Sequence, residues 1–460
     1  MKKIPIKLGK ELVEVNLPDN TEILSTEQPK PLSNPSFFIQ KTLVDSISSL
    51  SLDQIIAQKL KKNPEAKVVV VISDNTRPVP YKGESGILWP ILERLLAHNI
   101  PKERILILVA TGTHRPLTEK ELREMLDPRV FDYKIPIKNH NCRDKNNLNY
   151  LGKTNRGSSV YINQDYMAAD IKILTGLVET HFMTGASGGR KSICPGLIGE
   201  ESIYIFHGAP MLASPKASDL IIDGNPCHQE ALEVAKKAGA DYILNVTLDQ
   251  DFKLTGVFAG DLEKAHEQAV KQIKKYVTIP LDKEYDIVIT HAGFVGINQY
   301  QTAKAAIVAI PALKPNGKLI MIANNNDKDL IGSEKYKTVL HLLKIIGAKQ
   351  FNNLILSPDW TFIPDQWQVQ MWTRLFSKIP PENFIYYSPR LSFNDYKIIP
   401  CVDGNIFLPR SERYKDNFKN AAQVIEKAVE AAIYELKSAG QEKIKIAYLA
   451  DGPYGVPVKN

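Results

Sequence analysis

Val68-Val69-Val70-Val71-Ile72-Ser73-Asp74-Asn75-Thr76-Arg77-Pro78 is the stretch that decides how this chain folds. An unbroken β-branched run makes a strand buried on both faces, as in a parallel sheet covered by helices. The run stops in residues that turn the chain and carry charge. The pattern recurs at Ile105-Leu106-Ile107-Leu108-Val109, which ends in Ala110-Thr111-Gly112-Thr113-His114-Arg115-Pro116. A third apolar run, 171–178, ends in the loop carrying His181. Helical stretches at 52–61 and 87–97 separate the runs, and Thr118-Glu119-Lys120-Glu121 is a capping box that predicts another helix. Strands alternating with helices, each delivering polar residues past its C-terminal end, predict an open parallel α/β sheet with its ligand at that edge. Asp74, Arg77, His114 and His181 are therefore expected to converge.

Residues 229–240 and 262–277 read as helices flanking a strand at 242–246, and after Pro280 the alternation restarts. Strands are expected at 286–290, 318–323 and 443–449, with a helix at 301–308. Two α/β domains follow, over 1–280 and 281–460. The residues up to Leu24 read as short strands around a turn at Pro18-Asp19-Asn20. In the second half, Tyr300, Gln301 and Lys304 lie beside the glycine-rich loop 293–296, and Trp367 lies further on.

The chemistry concentrates in Glu179 to His207, ETHFMTGASGGRKSICPGLIGEESIYIFH. It holds His181, the run Gly185-Ala186-Ser187-Gly188-Gly189, the pair Arg190-Lys191, and a second histidine, His207. Glycines let backbone approach an anion closely, so this run reads as an anion cradle. A nucleotide-hydrolase phosphate loop, G-x-x-x-x-G-K-[ST], would need glycine at 190, where Arg190 stands. It is a different kind of site.

Composition narrows the classes. The chain has 460 residues, 24% charged and 43% hydrophobic, the make-up of an ordinary folded protein. Its net charge of +7 is spread over dispersed lysines, so no nucleic-acid partner is expected. Met1-Lys2-Lys3-Ile4-Pro5-Ile6-Lys7 lacks the apolar core of a signal peptide, and no run approaches a membrane span. Cys142, Cys194, Cys227 and Cys401 lie far apart without a CxxC, which excludes a zinc ribbon. A cytoplasmic location is expected. His98, His140, His228, His266, His291 and His341 have no metal-ligand spacing and read as structural.

Taken together, DNTRP at 74–78, TGTHRP at 111–116, SGGRK at 187–191 with Pro195-Gly196, His181, His207, Gln301 and Lys304 resemble the nickel-dependent lactate racemase family. The similarity extends to Asp223-Gly224-Asn225-Pro226, residues 242–261 and Asp451-Gly452-Pro453. It implies two α/β domains with largely parallel sheets and an active site in the cleft between them. It implies an isomerase that racemises or epimerises a 2-hydroxy acid at C2, removing and returning hydride through a 2-keto intermediate. It also implies nickel in a pincer nucleotide, a pyridinium-3,5-bisthiocarboxylic acid mononucleotide made by maturation enzymes. On this likeness Lys191 tethers the cofactor and His207 ligates nickel. His114 and His181 are the paired acid/bases, while Arg77, Gln301 and Lys304 bind substrate. Asp74, Thr111, Gly112, Ser187, Gly188, Gly189, Tyr300 and Trp367 line the cofactor.

The chemistry agrees with this resemblance. Taking a proton from C2 would place a carbanion beside an ionised carboxylate, whereas removing hydride leaves a neutral ketone and needs only a base for the hydroxyl. Imidazole suits that base near neutrality. Arg190 next to Lys191 could lower the lysine pKa by like-charge repulsion, favouring the neutral amine that attacks a thiocarboxyl carbon. Thr180, where proline is usual in the family, Thr184, and Ala186, where an aromatic is common, suggest a roomy, polar pocket and a substrate larger than lactate, such as a sugar acid. The absence of Arg or Lys over 179–189 disfavours a second carboxylate. The rival readings are a zinc hydrolase using His114, His181 and His207, a non-catalytic nucleotide-binding protein of the same fold, and an NAD enzyme, for which no G-x-G-x-x-G follows a first strand.

Overall fold

The computed structural model describes residues 1–459, and the chain forms two compact units, one over Gln28–Tyr276 and the other over Met1–Glu27 with the residues from Val277 onward. Each is built on a six-stranded sheet, wholly parallel in one unit and parallel but for one edge strand in the other.

In the unit Gln28–Tyr276 the strand order is Leu254–Gly260, Tyr242–Leu248, Ile171–Leu177, Val68–Ser73, Ile105–Ala110, Ile137–Asn139. All neighbours are parallel except the pair 242–248 and 254–260. Val68 aligns with Ile105 on one side and Ile171 on the other, so the β-branched run lies at the centre of the sheet with Val69 to Ile72 fully buried. From this strand the chain builds outward first through 105–110 and 137–139, then returns to add 171–177 and 242–248 on the other flank. The order therefore reverses between 68–73 and 171–177, and an α/β sheet opens a ligand crevice at such a switch, outside the carboxyl ends of the strands. Helices Leu52–Lys62, with a Ser51/Gln54 capping box, and Leu88–Ala97 bury their apolar sides, Ile56, Leu88, Ile91, Leu92 and Leu95, in the same core as Val68 and Val70. The expected Thr118/Glu121 capping box starts helix Glu119–Met125.

The other unit orders Val402–Asp403, Phe384–Tyr387, Leu313–Ile322, Tyr285–His291, Ile446–Leu449 and Thr21–Leu24, all parallel. Its edge strand comes from the N-terminus, with Thr21 opposite Ile446. Ahead of it, Lys2–Leu8 and Glu11–Leu17 form an antiparallel hairpin that turns at Gly9, where φ is +64°. Ile4, Ile6, Leu8, Val13, Val15 and Leu17 are buried in one cluster with Val424, Ile425 and Ala428 of helix Asn420–Ser438. Residues 1–27 thus differ from the expected single domain over 1–280. Alternation shows that they are strands, but it does not say which sheet they complete. The turn at Pro18-Asp19-Asn20 links the hairpin to the edge strand.

Several histidines serve the fold. His140 accepts from Asn163 Nδ2 (3.1 Å) and donates from Nε2 to the Ile198 carbonyl (3.0 Å), and burial pushes it down to about 4. His291 accepts from the Gly293 amide (3.1 Å) and donates to the Ala450 carbonyl (2.9 Å), and burial pushes it down to about 4 as well. Burial also holds His266 well below the ordinary value. Among the described residues no helix is long and apolar enough to cross a membrane.

Two expectations follow. Burying the six apolar side chains of the hairpin at roughly 1.5–3 kcal/mol each is comparable to a domain's whole net stability of about 5–15 kcal/mol. A fragment of residues 28–276 should therefore unfold cooperatively in urea, while a fragment of 1–280 should expose the hairpin's apolar face, binding hydrophobic dye or aggregating. Equal behaviour of the two would refute the boundary. The second expectation concerns acid. These histidines have folded pKa values below the unfolded value of about 6.5, so the unfolded chain takes up protons first as pH falls. Their stabilisation is complete above about pH 6.5 and is lost toward pH 4, by about 1.4 kcal/mol per pH unit for each neutral buried ring. Tm measured at pH 7.5, 6 and 5 should fall, and less steeply in His140→Gln.

Candidate active site

Three loops meet the carboxyl ends of the strands 68–73, 105–110 and 171–177. A chain of buried hydrogen bonds joins the first strand to the third across the switch. The Ser73 amide donates to Tyr81 Oη (2.7 Å), the Tyr81 hydroxyl donates to Thr175 Oγ1 (2.9 Å), and Thr175 donates to the Val71 carbonyl (2.8 Å). Each member is satisfied, so this polar path costs the core little.

Just past the first strand, Asp74 is 4% exposed. One carboxylate oxygen accepts from the Thr76 amide (3.2 Å) and hydroxyl (2.5 Å), and the other faces His114 Nδ1 at 2.6 Å. Burial opposes ionisation, yet the hydrogen bond and charge of His114 together with the Thr76 bonds outweigh it, holding the carboxyl below its ordinary value. An ionised carboxylate only accepts, so Nδ1 of His114 carries a proton, and whenever the ring is neutral its lone pair lies on Nε2. The His114 side chain is 56% exposed, a reactive ring anchored by a buried carboxylate. Its loop is fixed from below. Gly112, at φ +55°, donates its amide to the Gly196 carbonyl (3.0 Å), and the Thr111 hydroxyl donates to the His140 carbonyl (2.7 Å). Thr111 and Gly112, expected to contact the cofactor, shape the loop in this structure. The Thr111 side chain is buried and already engaged.

Arg77, after the same strand, is ion-paired with Glu179 after the third strand, which links the two loops at the switch. His181 lies in the two-residue strand Thr180–His181, paired with Gly185–Ala186. Its Nδ1 accepts from the backbone amides of Met183 (3.2 Å) and Thr184 (3.3 Å).

The glycine-rich run departs from an open anion cradle. The Ser187 amide donates to the Glu179 carbonyl (2.9 Å), and its hydroxyl donates to the Leu177 carbonyl (2.7 Å) and accepts from the Glu179 amide (3.0 Å). The Gly189 amide donates to Asn245 Oδ1 (2.8 Å). Gly188 has φ +76°, and a Cβ there would lie 2.7 Å from Val178 Cγ2 and 2.8 Å from Asn245 Oδ1. Ser187, Gly188 and Gly189 thus lock the loop onto the strands 171–177 and 242–248. Arg190 braces it from inside. Its Nη2 donates to the carbonyls of Thr184 (3.0 Å) and Ala186 (2.9 Å) and its Nη1 to that of Gly188 (3.3 Å), while burial pushes its pKa down to about 9. The expected action on Lys191 gives way to this structural role. Thr184 and Ala186 are fully buried, and the Thr184 hydroxyl donates to the Ala186 carbonyl (3.1 Å), so neither widens an open pocket.

Lys191 is half-buried on the 3-10 turn Gly189–Ser192, whose Ser192 hydroxyl donates to the Thr175 carbonyl (3.0 Å). His207 caps helix Glu200–Phe206 at its C-terminus, its ring edge-on to Phe206 at 4.6 Å. Burial, then the charges of Lys191 and His114, push the His207 imidazole down to about 3. It is therefore neutral at physiological pH, the form that ligates a metal, and it lies within electrostatic reach of both the lysine and the base. Among the described residues no three His, Cys, Asp or Glu side chains form a metal-holding group, so His114, His181 and His207 do not make a zinc triad. Two of those rings already point Nδ1 at Asp74 and at backbone amides.

In the unit completed by residues 1–27, helix Gln299–Ala309 follows the strand Tyr285–His291 and is capped by Asn298, which accepts from the Gln301 amide (3.0 Å). Tyr300 accepts from Trp367 Nε1 (2.8 Å), its carbonyl accepts from Gln368 Nε2 (2.6 Å), and Trp367 stacks on Phe362. Gln301 and Lys304, three residues apart, share one helix face and are half-buried. Sequence reasoning singled out neither Tyr81, Thr175 and Asn245 nor the role of Glu179. A lone polar residue inside an apolar strand, Thr175 in one and Asn245 in the other, was the available signal.

Comparison with known proteins agrees with this arrangement. Residues 8–219 match the lactate racemase N-terminal domain, and residues 281–387 match the lactate racemase C-terminal domain. The chain is 34% identical over 340 residues to the lactate racemase of Lactiplantibacillus plantarum, covering 73% of this chain and 76% of that one. It is 29% identical over 458 residues to the lactate racemase of Thermoanaerobacterium thermosaccharolyticum, covering 98% of each. The solved apoprotein of the lactate racemase from that organism superposes with a TM-score of 0.83 at 26% identity, over 99% of this chain and 100% of that one. A structure from Thermotoga maritima shares the fold, with a TM-score of 0.60 at 16% identity over 90% and 99% of the two chains. With more than half its length matched by these domains, and with its strand-end loops carrying the residues described above, the chain belongs to the lactate racemase family.

Proposed function

We propose that this isomerase racemises a small 2-hydroxy acid, lactate or a close analogue, by moving hydride rather than a proton at C2. The observation that carries this reading is the buried Asp74 holding His114 with its Nε2 lone pair outward, beside Arg77, at the switch of a parallel sheet. His114 takes the hydroxyl proton, and Asp74 opposes the positive charge that forms on the ring. Arg77 and Lys304 bind the carboxylate, with Gln301 as a hydrogen-bonding neighbour. His181 is the paired acid/base, serving the other hand of the substrate. Of the residues that suggested a larger, polyhydroxylated substrate, Thr184 and Ala186 are buried, with the Thr184 hydroxyl bonded to the Ala186 carbonyl, and the half-buried Thr180 is the one left to favour it.

A nickel-pincer nucleotide fits the residues present. Lys191 would tether it, and the neutral, half-buried imidazole of His207 would complete the metal's ligand set. Tyr300 and Trp367, bonded to each other, would line it. When bound, the group supplies the acceptor for hydride. Enzymes that build the nucleotide are therefore proposed partners, and the reaction is proposed to run in the cytoplasm where they act.

Protein coexpressed with that pathway should carry a mass adduct on Lys191 and about one nickel per chain. His207→Ala should lose the nickel. Lactate deuterated at C2 should invert in ordinary water with its label retained, and unlabelled lactate in heavy water should gain none. Exchange of C2 hydrogen with solvent would overturn the hydride reading. Asp74→Asn should keep the loop's shape but remove the acceptor that orients His114, lowering kcat by about 10²–10⁴ with little change in KM. Steady-state kinetics with both hands of lactate check this.

A further inference from the structure

Arg77 is an anchor that already holds one carboxylate. It follows the central strand 68–73 and is ion-paired through Nη1 with Glu179, which follows the strand 171–177. The backbone fixes both partners. The Glu179 amide donates to Ser187 Oγ (3.0 Å), and its carbonyl accepts from the Ser187 amide (2.9 Å). The Arg77 amide donates to the Asp74 carbonyl (3.3 Å), and the Arg77 carbonyl accepts from the Val79 amide (2.8 Å). Neither side chain is loose at the surface, since Arg77 is 27% exposed and Glu179 35%. The Nη2 and Nε of Arg77 have no hydrogen-bond partner among the described residues. Together they make one flat edge of the guanidinium, the fork that matches a carboxylate with two parallel bonds. Glu179 therefore leaves Arg77 half used, with the remaining edge fixed in direction.

Resting on the racemase reading above, we propose that Glu179 is a positioning residue for the substrate's carboxylate. It stays on Nη1 of Arg77 when substrate is bound, and so presents the Nε–Nη2 edge to the incoming anion. In a 2-hydroxy acid, C2 with its hydroxyl is bonded directly to the carboxylate carbon. The direction of that edge therefore decides where the reacting carbon lies. Arg77 shares a loop with Asp74, which holds His114, and Glu179 lies two residues before His181. The anchor is thus tied to both of the loops that carry an imidazole. The opposite arrangement would have Glu179 occupy Arg77 only in the empty site and leave as substrate arrives. Two features oppose it. Burial already draws the Arg77 guanidinium below its ordinary value, with the charge of Asp74 acting the other way, and a cation withdrawn from water holds its carboxylate strongly. The unused edge also makes an exchange of carboxylates unnecessary.

The test has two arms. In steady-state kinetics of the loaded enzyme with each hand of lactate, Glu179→Ala should raise KM by about tenfold or more for both hands, with a smaller change in kcat. Glu179→Gln, which keeps an acceptor oxygen in place, should recover most of that loss. In the Arg77→Ala background, Glu179→Ala should lower kcat/KM no further, because its effect passes through the guanidinium. A merely structural role would carry its full cost into that background and would overturn the proposal. So would a fall in KM in Glu179→Ala and Glu179→Gln, the mark of a carboxylate that competes with substrate. The second arm needs no turnover. In the cofactor-free protein labelled with 15N-arginine, Arg77, assigned with Arg77→Lys, should show separate Nη1 and Nη2 signals that merge in Glu179→Ala. Saturating lactate should shift Nε and Nη2 and leave the two Nη signals separate. Release of Nη1 by lactate, or no shift at all, overturns the proposal. Failure of the loaded wild-type enzyme to interconvert lactate overturns the racemase reading itself, while the arginine spectra still decide whether the pair persists.

Discussion

A carboxylate withdrawn from water must be compensated by donors, and around Asp74 that requirement organises the site. Two bonds from Thr76 and one from His114 keep it ionised despite burial. Removing one donor would leave buried charge short of a partner, a cost of about 1–3 kcal/mol or more. The loop 74–77 and the loop 111–114 are therefore coupled to each other through a single side chain. The path from Ser73 through Tyr81 and Thr175 to Val71 then couples the first of these loops to the strand that leads to His181. Three strand ends far apart in sequence are thus held by polar bonds that the strands' apolar packing could not aim.

The same economy governs the glycine-rich run. The amides of Ser187 and Gly189 and the Ser187 hydroxyl are used on the protein itself, and a buried guanidinium collects the carbonyls of Ala186 and Gly188 with that of Thr184 just before the run. A cation buried without a carboxylate is costly, and dipoles aimed at it partly offset that cost. The loop is consequently a rigid mount for Lys191 and His181.

Much of this was legible in the sequence, for physical reasons. Continuous apolar runs, β-branched throughout at 68–72 and Ile/Leu/Val at 105–109, read as strands covered on both faces, and polar residues after them fall at one edge of a parallel sheet. That logic located Asp74, Arg77, His114 and His181. It could not distinguish glycines that admit an anion from glycines that admit a neighbouring side chain, and at Gly188 and Gly189 the structure shows the close approach of Val178, Asn245 and His266. Nor could it see that Thr184 and Ala186 point into packed interior, because burial in a loop has no periodicity to betray it. Residues 1–27 show strand alternation clearly, yet pairing partners more than 400 positions away, such as Ile446 for Thr21, leave no local trace.

That pairing also orders events during synthesis. Ile446–Leu449 lies between Tyr285–His291 and Thr21–Leu24 in its sheet, so the strand 21–24 has no neighbour until residues 446–449 have left the ribosome. The unit 28–276 holds all its own strands and can form while translation continues. Residues 21–24 are thus made well before the strand that gives them their place. Through that interval the apolar face of the hairpin 2–17 is open to other chains, and the lysines along its exposed side, Lys3 and Lys7 among them, oppose edge-to-edge pairing.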